Sequence, residues 1–264
     1  FRVLRVFCFS ECAAPSTGAT DMQLTDFDYQ LPQRLIAQTP LPKRDASRLL
    51  ILGRGDGAID HSVFHRLTEH LKKGDCLIVN DTRVMPARLY GKKETGASVE
   101  VVLLKRLRGD EWECIVRPGK RLKSGARVVF SRELSGEITG CLDGGNRAIR
   151  FFYDGADFFS VLDRVGLVPL PPYITEKLED SERYQTVYAR EKGSAAAPTA
   201  GLHFTPQLLD ELRSRGVGMG SVTLHVGLGT FRPVKTPSIT DHRMHSEWYS
   251  LPEGTAELIR RTKE

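Results

Sequence analysis

MPARLYGKKETGASVEVVLLKRLRGDEWECIVRPGKRLKSGARVVFSRELSGEITGCLDGGNRAIRFFY, residues 85–153, alternates short apolar runs with turn residues. Runs at Met85–Tyr90, Val99–Leu104, Glu111–Val116, Arg127–Phe130, Leu134–Cys141 and Arg147–Tyr153 are each of strand length, with Gly, Ser, Asp or Asn between them. Six short strands spaced this way predict a small barrel or sandwich. The charge is concentrated here too: residues 83–133 carry 13 Lys and Arg against 6 Asp and Glu, although the whole chain is only +5. Its densest point is Arg117-Pro-Gly-Lys120-Arg121-Leu-Lys123. A basic loop on a barrel suits a polyanion backbone, and it equally suits an ordinary solvated surface.

Beyond the β-rich interval, a helix is expected near Asp157–Arg164, and then GLVPLPPYI (166–174) follows. Three prolines in nine residues exclude helix and central strand, so this is a stiff extended crossover between modules. Asp180–Tyr188 next gathers Arg183, Tyr184, Gln185 and Tyr188, side chains able to stack on and hydrogen-bond a purine-like base. Tyr184 and Tyr188 at i,i+4 also fit simple helix packing.

The chemistry is expected in PTAGLHFTPQLLDELRSRGVGMGSVTLHVGLGTF, residues 198–231. Thr205 caps a helix with Pro206 in its first turn, Leu208, Leu209 and Leu212 form its apolar stripe, and Gly216 stops it. A buried strand over Ser221–Val226 then runs into a glycine turn, His225–Thr230, where backbone can approach a ligand closely. Each flanking loop holds one histidine, His203 and His225.

On the N-terminal side, Cys76–Val79 reads as a buried strand that delivers Asn80-Asp81-Thr82-Arg83, with Arg88 shortly after. Polar residues at a strand end are placed to meet a ligand. The plainer reading is an Asx turn at Asn80 and Asp81 with Arg83 paired locally. Upstream, a helix through Arg34–Gln38, a hairpin of Leu49–Leu52 with Ala58–Phe64, and a short helix at Arg66–Leu71 are expected. Lys43, Arg44 and Arg48 are either a solvated face or a phosphate hold.

At 264 residues, 40% hydrophobic and 27% charged, the composition is that of a soluble globular protein, and no run of 18 apolar residues suggests a membrane span. Five cysteines, three of them (Cys76, Cys114, Cys141) in strand-like runs, point to reduced core thiols and a cytoplasmic setting. Residues 1–21 differ from the rest and read as an extension outside the domain; Cys8 and Cys12 alone make a weak metal pair. Asp241–Glu247 places His242 and His245 three apart among acids, without the HExxH pattern, so no metal is expected there. A polar loop closing over a substrate is the better reading.

Six blocks in order, NDTRVMPARL, RPGKRLKSG, GLVPLPPYI, RYQTVYAREKGSAAAPTAGLHFT, VTLHVGLGTFRPV and ITDHRMHSEW, resemble the S-adenosylmethionine:tRNA ribosyltransferase-isomerase family of queuosine synthesis over roughly residues 22–264. The resemblance implies transfer of the ribosyl part of S-adenosylmethionine to a 7-aminomethyl-7-deazaguanine at the tRNA wobble position. Adenine and methionine leave, and epoxyqueuosine remains. It implies a mixed α/β fold in two domains, with a six-stranded β-barrel (83–159) inserted into an α/β catalytic domain (22–82 and 160–264).

S-adenosylmethionine is then a co-substrate and no other cofactor is implied; tRNA is the macromolecular partner and the protein is expected to be monomeric. The chemistry needs a base for the ribose carbon next to the sulfonium. His203, His225 and His245 are the candidates for proton transfer, with His242 also in reach. Candidates for substrate binding are Asp81, Arg83, Arg88, Arg117, Lys120, Arg121, Tyr184, Gln185, Tyr188, Thr199, Gly201, Gly227, Gly229, Thr230 and His242. Family members continue beyond Glu264, so part of the catalytic domain is expected outside this chain, which puts its activity alone in question. Two other classes stay open: an S-adenosylmethionine-dependent tRNA methyltransferase and a noncatalytic RNA-binding module.

Overall fold

The computed structural model describes residues 23–264 except Ala156, Lys177, Arg232, Pro233, Lys235 and Arg243. Cys8, Cys12 and the rest of the N-terminal extension therefore lie outside the described residues. The chain opens with 3-10 turns at Leu24–Phe27, Gln33–Leu35 and Arg44–Ala46. The helix expected over Arg34–Gln38 is only the second of these turns. Ile36 is already extended, and Pro40 keeps Thr39 out of the helical region.

Strands β1 (Arg48–Leu52) and β2 (Ile59–Val63) form the expected hairpin, with Leu52 opposite Ile59. The next segment is a 3-10 helix, Phe64–Glu69, rather than the helix expected at Arg66–Leu71. It buries Phe64 and Leu67, the i,i+3 spacing that aligns side chains at three residues per turn. Then come β3 (Cys76–Asn80) and the short β4 (Thr82–Val84).

Six strands follow: β5 (Arg88–Lys93), β6 (Ser98–Arg108), β7 (Glu111–Arg117), β8 (Arg127–Val129), β9 (Leu134–Cys141) and β10 (Arg147–Tyr153). They close into a barrel in the order β10-β7-β6-β5-β8-β9, every neighbour antiparallel. The first strand begins three residues later than expected because Met85–Ala87 leads into the barrel around Pro86. Strand β6 runs on past Leu104 through register shifts at Leu103/Lys105 and Arg106/Arg108, the extra residues of β-bulges.

Alternate residues point inward, and Leu89, Val101, Leu103, Cys114, Ile138 and Ile149 are wholly buried. Helix α1 (Phe158–Val165), capped by Asp157 accepting from the Ser160 amide at 3.0 Å, adds Phe158, Val161 and Leu162 to the same core. Ile149→Ala should destabilise the protein by about 2–5 kcal/mol, transfer loss plus residual cavity. Urea titration should show a lower midpoint with an unchanged slope, and a wild-type midpoint would contradict this packing.

The Pro-rich crossover returns along the barrel, where Leu167 and Arg88 exchange backbone hydrogen bonds of 2.8 and 2.9 Å. Strand β11 (Glu191–Ser194) pairs in parallel with β4. Helix α2 (Pro206–Ser214) forms as expected: the Thr205 hydroxyl accepts from the Leu208 amide at 3.2 Å, and Leu208, Leu209 and Leu212 are buried with Phe64, Leu67 and Leu77. Strand β12 (Gly218–Leu224) lies between β3, parallel, and β13 (Tyr249–Ser250), antiparallel.

Strand β12 starts three residues before the expected Ser221 and ends two before Val226. Gly218 and Gly220 belong to it because helix α3 (Glu253–Lys263) packs close. A Cβ on either would come within 3.0 Å of Leu258 or Thr255. The structure is thus mixed α/β with a closed six-stranded antiparallel barrel. One cysteine departs from the core expectation: Cys114 is buried, Cys76 is half-buried, and Cys141 is exposed because β9 ends there.

Candidate functional site

The polar residues after β3 tie three strands together. The Asn80 side chain accepts from the amides of Thr82 (3.1 Å) and Leu224 (2.9 Å) and donates to the Leu224 carbonyl (2.8 Å). The Asx turn is therefore real, and it also clamps the end of β12. Asp81 turns inward. Its buried carboxylate accepts from Thr223 Oγ1 and from Arg190 Nη2, each at 2.7 Å. The Asp81 carbonyl takes the amides of Arg190 and Glu191, which starts β11 beside β4. Arg83 pairs with Glu182.

This frame holds His225 at the end of β12. Nδ1 is 2.8 Å from the Thr82 hydroxyl, the ring stacks on Trp248 with centroids 4.8 Å apart, and the His225 amide donates to the Trp248 carbonyl at 3.0 Å. Gly193, at φ +153°, lies so close that an added Cβ would be 2.3 Å from Nε2, 2.5 Å from Cε1 and 2.7 Å from Cδ2. Three such similar distances place Gly193 over the ring face near Nε2, away from the in-plane direction of the Nε2 lone pair. Burial pushes the imidazole below its ordinary value of 6.5, while Glu191 and Asp81 pull the other way. The ring is in its base form at neutral pH.

Two loops flank it. Ser194, fully buried, accepts from the Val226 amide at 2.8 Å and donates to the Ala196 carbonyl at 2.8 Å. The amides of Ala195 and Ala196 both donate to the Val226 carbonyl, so the small-residue stretch Ser194–Ala197 is strapped to the residue after His225. On the other side, the Glu247 carboxylate accepts from the Gly227 amide at 2.7 Å and meets His245 Nε2 at 2.9 Å. Gly229 lies against the His245 ring, where a Cβ would be 2.7 Å from the imidazole. Thr230, exposed, continues the same turn, and His242 caps the nearby Ile239–Asp241 turn through its amide. His245 is thus held, through Glu247, against Gly227 and Gly229, the turn that follows His225.

His203 belongs to a different neighbourhood. It ends the 3-10 turn that Thr199 begins, and its ring is 5.2 Å from that of Phe64. Burial lowers its pKa, with Arg44 nearby. Gly201 is buried under Tyr188, whose hydroxyl would be 2.2 Å from an added Cβ. Burial raises the Tyr188 phenol far above its ordinary range. Tyr184 is packed with Val84 and Ala197, and the Gln185 amide both accepts from and donates to the Val84 backbone, at 3.0 and 2.9 Å. This segment is extended after Tyr184, so Tyr184 and Tyr188 are not helix neighbours. The geometry gives Gln185 a framework role, closing the edge of β4.

On the barrel, Arg88 pairs with Glu100 at 3.2 Å. Arg117, Lys120, Arg121 and Lys123 are exposed, and their side chains form no ion pair among the described residues. Their loop is held from beneath: Arg147 donates to the carbonyls of Gly119 and Leu122, at 2.8 and 2.7 Å, and Lys93 to that of Arg121 at 3.0 Å. Pairing the backbone in this way leaves the loop's own cations free for an anion.

Gly193 and Trp248, which touch His225, were not among the expected site residues, and Thr82 and Glu247, which touch His225 and His245, stood only within the polar stretches Asn80–Arg83 and Asp241–Glu247. A glycine inside a strand-like segment, Gly193, was the one available signal, marking close approach. Among the described residues no group of three or more His, Cys, Asp or Glu is arranged for a metal, and no helix is long and apolar enough to cross a membrane.

A family profile described as "Queuosine biosynthesis protein" matches residues 24–264. A curated S-adenosylmethionine:tRNA ribosyltransferase-isomerase from Acetivibrio thermocellus is 58% identical over 245 residues, which are 92% of this chain and 72% of that protein. Among solved structures, an S-adenosylmethionine tRNA ribosyltransferase from Thermotoga maritima is 32% identical, with 90% of this chain and 65% of that chain covered and a TM-score of 0.38. The chain thus spans only part of the length of both relatives.

Proposed function

This chain belongs to the queuosine biosynthesis protein family, and from that premise we propose that it transfers the ribosyl group of S-adenosylmethionine to a 7-aminomethyl-7-deazaguanine in the wobble position of tRNA. Epoxyqueuosine-tRNA, adenine and methionine are the products. The observation that carries this reading is His225, a neutral, half-buried imidazole wedged between Thr82, Gly193 and Trp248 in small-residue loops.

The sulfonium acidifies the adjacent ribose carbon. His225 takes that proton: the C–H bond breaks, its electron pair stays on carbon beside sulfur, and the imidazole becomes imidazolium. The electron pair then opens the ring C–O bond to give a vinyl sulfonium, and the freed oxygen becomes an aldehyde as adenine leaves with a proton. The tRNA amine adds to the vinyl group and loses its proton, the ylide carbon so regenerated bonds to the aldehyde carbon, and the resulting alkoxide closes the epoxide by displacing methionine. His245, paired with Glu247, is the second candidate for proton transfer in this reading. Ser194–Ala197 and Gly227–Thr230 shape the S-adenosylmethionine pocket, because small residues let a ligand approach the backbone. In this reading residues 83–159 are a barrel domain inserted between the two parts of the α/β catalytic domain.

Incubation with S-adenosylmethionine and precursor tRNA should release free adenine and methionine. Methylated tRNA with S-adenosylhomocysteine would overturn the proposal in favour of a methyltransferase, and tRNA binding without affinity for S-adenosylmethionine would favour a pure binding module.

The exposed cations at Arg117, Lys120 and Arg121 support the barrel loop as the tRNA contact. Lys120→Ala and Arg121→Ala should each weaken tRNA binding and lower the slope of log K against log salt by roughly 0.7–1. Slopes equal to wild type would move the tRNA contact elsewhere.

A further inference from the structure

Thr82 Oγ1 has one proton and two neighbours. His225 Nδ1 is at 2.8 Å and the Glu191 carbonyl at 3.4 Å, across the parallel pair that aligns Thr82 with Glu191. A carbonyl only accepts, so the 3.4 Å contact is made only with Thr82 as its donor. Thr82 can then meet Nδ1 only as an acceptor, which requires Nδ1 to carry its proton. The opposite arrangement, with Thr82 donating to Nδ1, gives up the Glu191 contact, although that carbonyl is also paired within the β4–β11 ladder. It would also place a proton on Nε2, which no acceptor meets among the described residues. The Nδ1–H tautomer is the one that satisfies both contacts. The carboxylates of Asp81 and Glu191, the charged groups acting on this ring, favour added positive charge on it once a proton arrives. Arg190, paired with both carboxylates, tempers that attraction.

We propose that the Thr82 hydroxyl, relayed to the Glu191 carbonyl, holds His225 as the Nδ1–H tautomer and thereby makes Nε2 the proton-accepting atom. Thr82 is a positioning residue in this scheme, and its catalytic consequence rests on the reading of His225 as the base. Gly193 completes the device, since it lies over the ring face near Nε2 without blocking the lone pair in the plane. When Nε2 takes a proton, the imidazolium keeps its Nδ1–H bond to Thr82, so no group has to reorient during the step.

The test is the imidazole nitrogen spectrum of histidine-labelled protein at a pH where His225 is neutral. In wild type, Nδ1 should show a protonated, pyrrole-like shift and Nε2 an unprotonated one. Thr82→Val, which keeps shape and removes the hydroxyl, should move the equilibrium toward Nε2–H and lower kcat by between about 10²- and 10⁴-fold, the range for a misassigned base. KM for S-adenosylmethionine should change little, and Thr82→Ser should restore both spectrum and rate. A wild-type spectrum showing Nε2–H overturns the proposal by itself, even if Thr82→Val fails to fold. An unchanged tautomer in Thr82→Val overturns it as well. If the tautomer is as stated but His225→Gln remains fully active, the assignment of Nε2 as the working base falls, and the tautomer assignment stands.

Discussion

Gly193→Ala is expected to lower turnover by about 100-fold or more, the scale of a 1 Å displacement of a reacting group. An added Cβ would sit 2.3 Å from His225 Nε2, well inside contact distance, and the ring cannot yield easily. It is stacked on Trp248 and tied to Thr82 at Nδ1. The backbone adds its own resistance, since φ of +153° at this residue is a conformation that costs a side-chain-bearing residue about 1–3 kcal/mol. Adenine release under single-turnover conditions measures the rate, and a fluorescence titration of Trp248 reports whether the ring stack has moved. Wild-type turnover in a folded Gly193→Ala protein would show that the position of His225 does not matter.

His225→Gln is expected to remove about 10²–10⁴-fold of turnover, the contribution of a positioned general base. Glutamine preserves volume and a polar end near Thr82 but cannot accept the ribose proton at neutral pH. S-adenosylmethionine affinity, measured by calorimetry, should stay close to wild type, because the loops at Ser194–Ala197 and Gly227 are anchored by their own bonds to Val226 and Glu247. Loss of binding and turnover together would assign His225 to the ligand rather than to the proton. His203→Gln makes the matched comparison. Packed on Phe64 and beside Arg44, it should affect turnover far less, and a larger effect there would exchange the two assignments.

Much of the framework was legible in the sequence. Strand-length runs separated by turn residues marked the six barrel strands, and two of them, Leu134–Cys141 and Arg147–Tyr153, match to the residue. Those boundaries are local, set by turn residues at both ends. The Thr205–Pro206 start of α2 was equally plain, since a cap and its first turn are neighbours in sequence. The strand with Gly218 and Gly220 was misplaced because its glycines answer to helix α3, more than thirty residues later. Arg34–Gln38 failed for a local reason that was present in the sequence, the proline at position 40.

For the site, the residue types and the two loops were readable. The roles were not. Tyr184 and Gln185 suggested a base reader, yet their side chains pack on and pair with Val84 across about a hundred residues. Three histidines looked alike as candidates, and the fold sorted them by burial and partners. By itself the sequence determined the strand pattern, the helix caps, the basic loop and the family, because periodicity, turn chemistry and ordered motif blocks are properties of neighbouring residues. Only the tertiary structure decided which histidine lies against a hydroxyl and a glycine. Thr82 and His225 are 143 positions apart, and the parallel pairing of β3 with β12 and of β4 with β11 is what carries the hydroxyl, the glycine and the imidazole into contact.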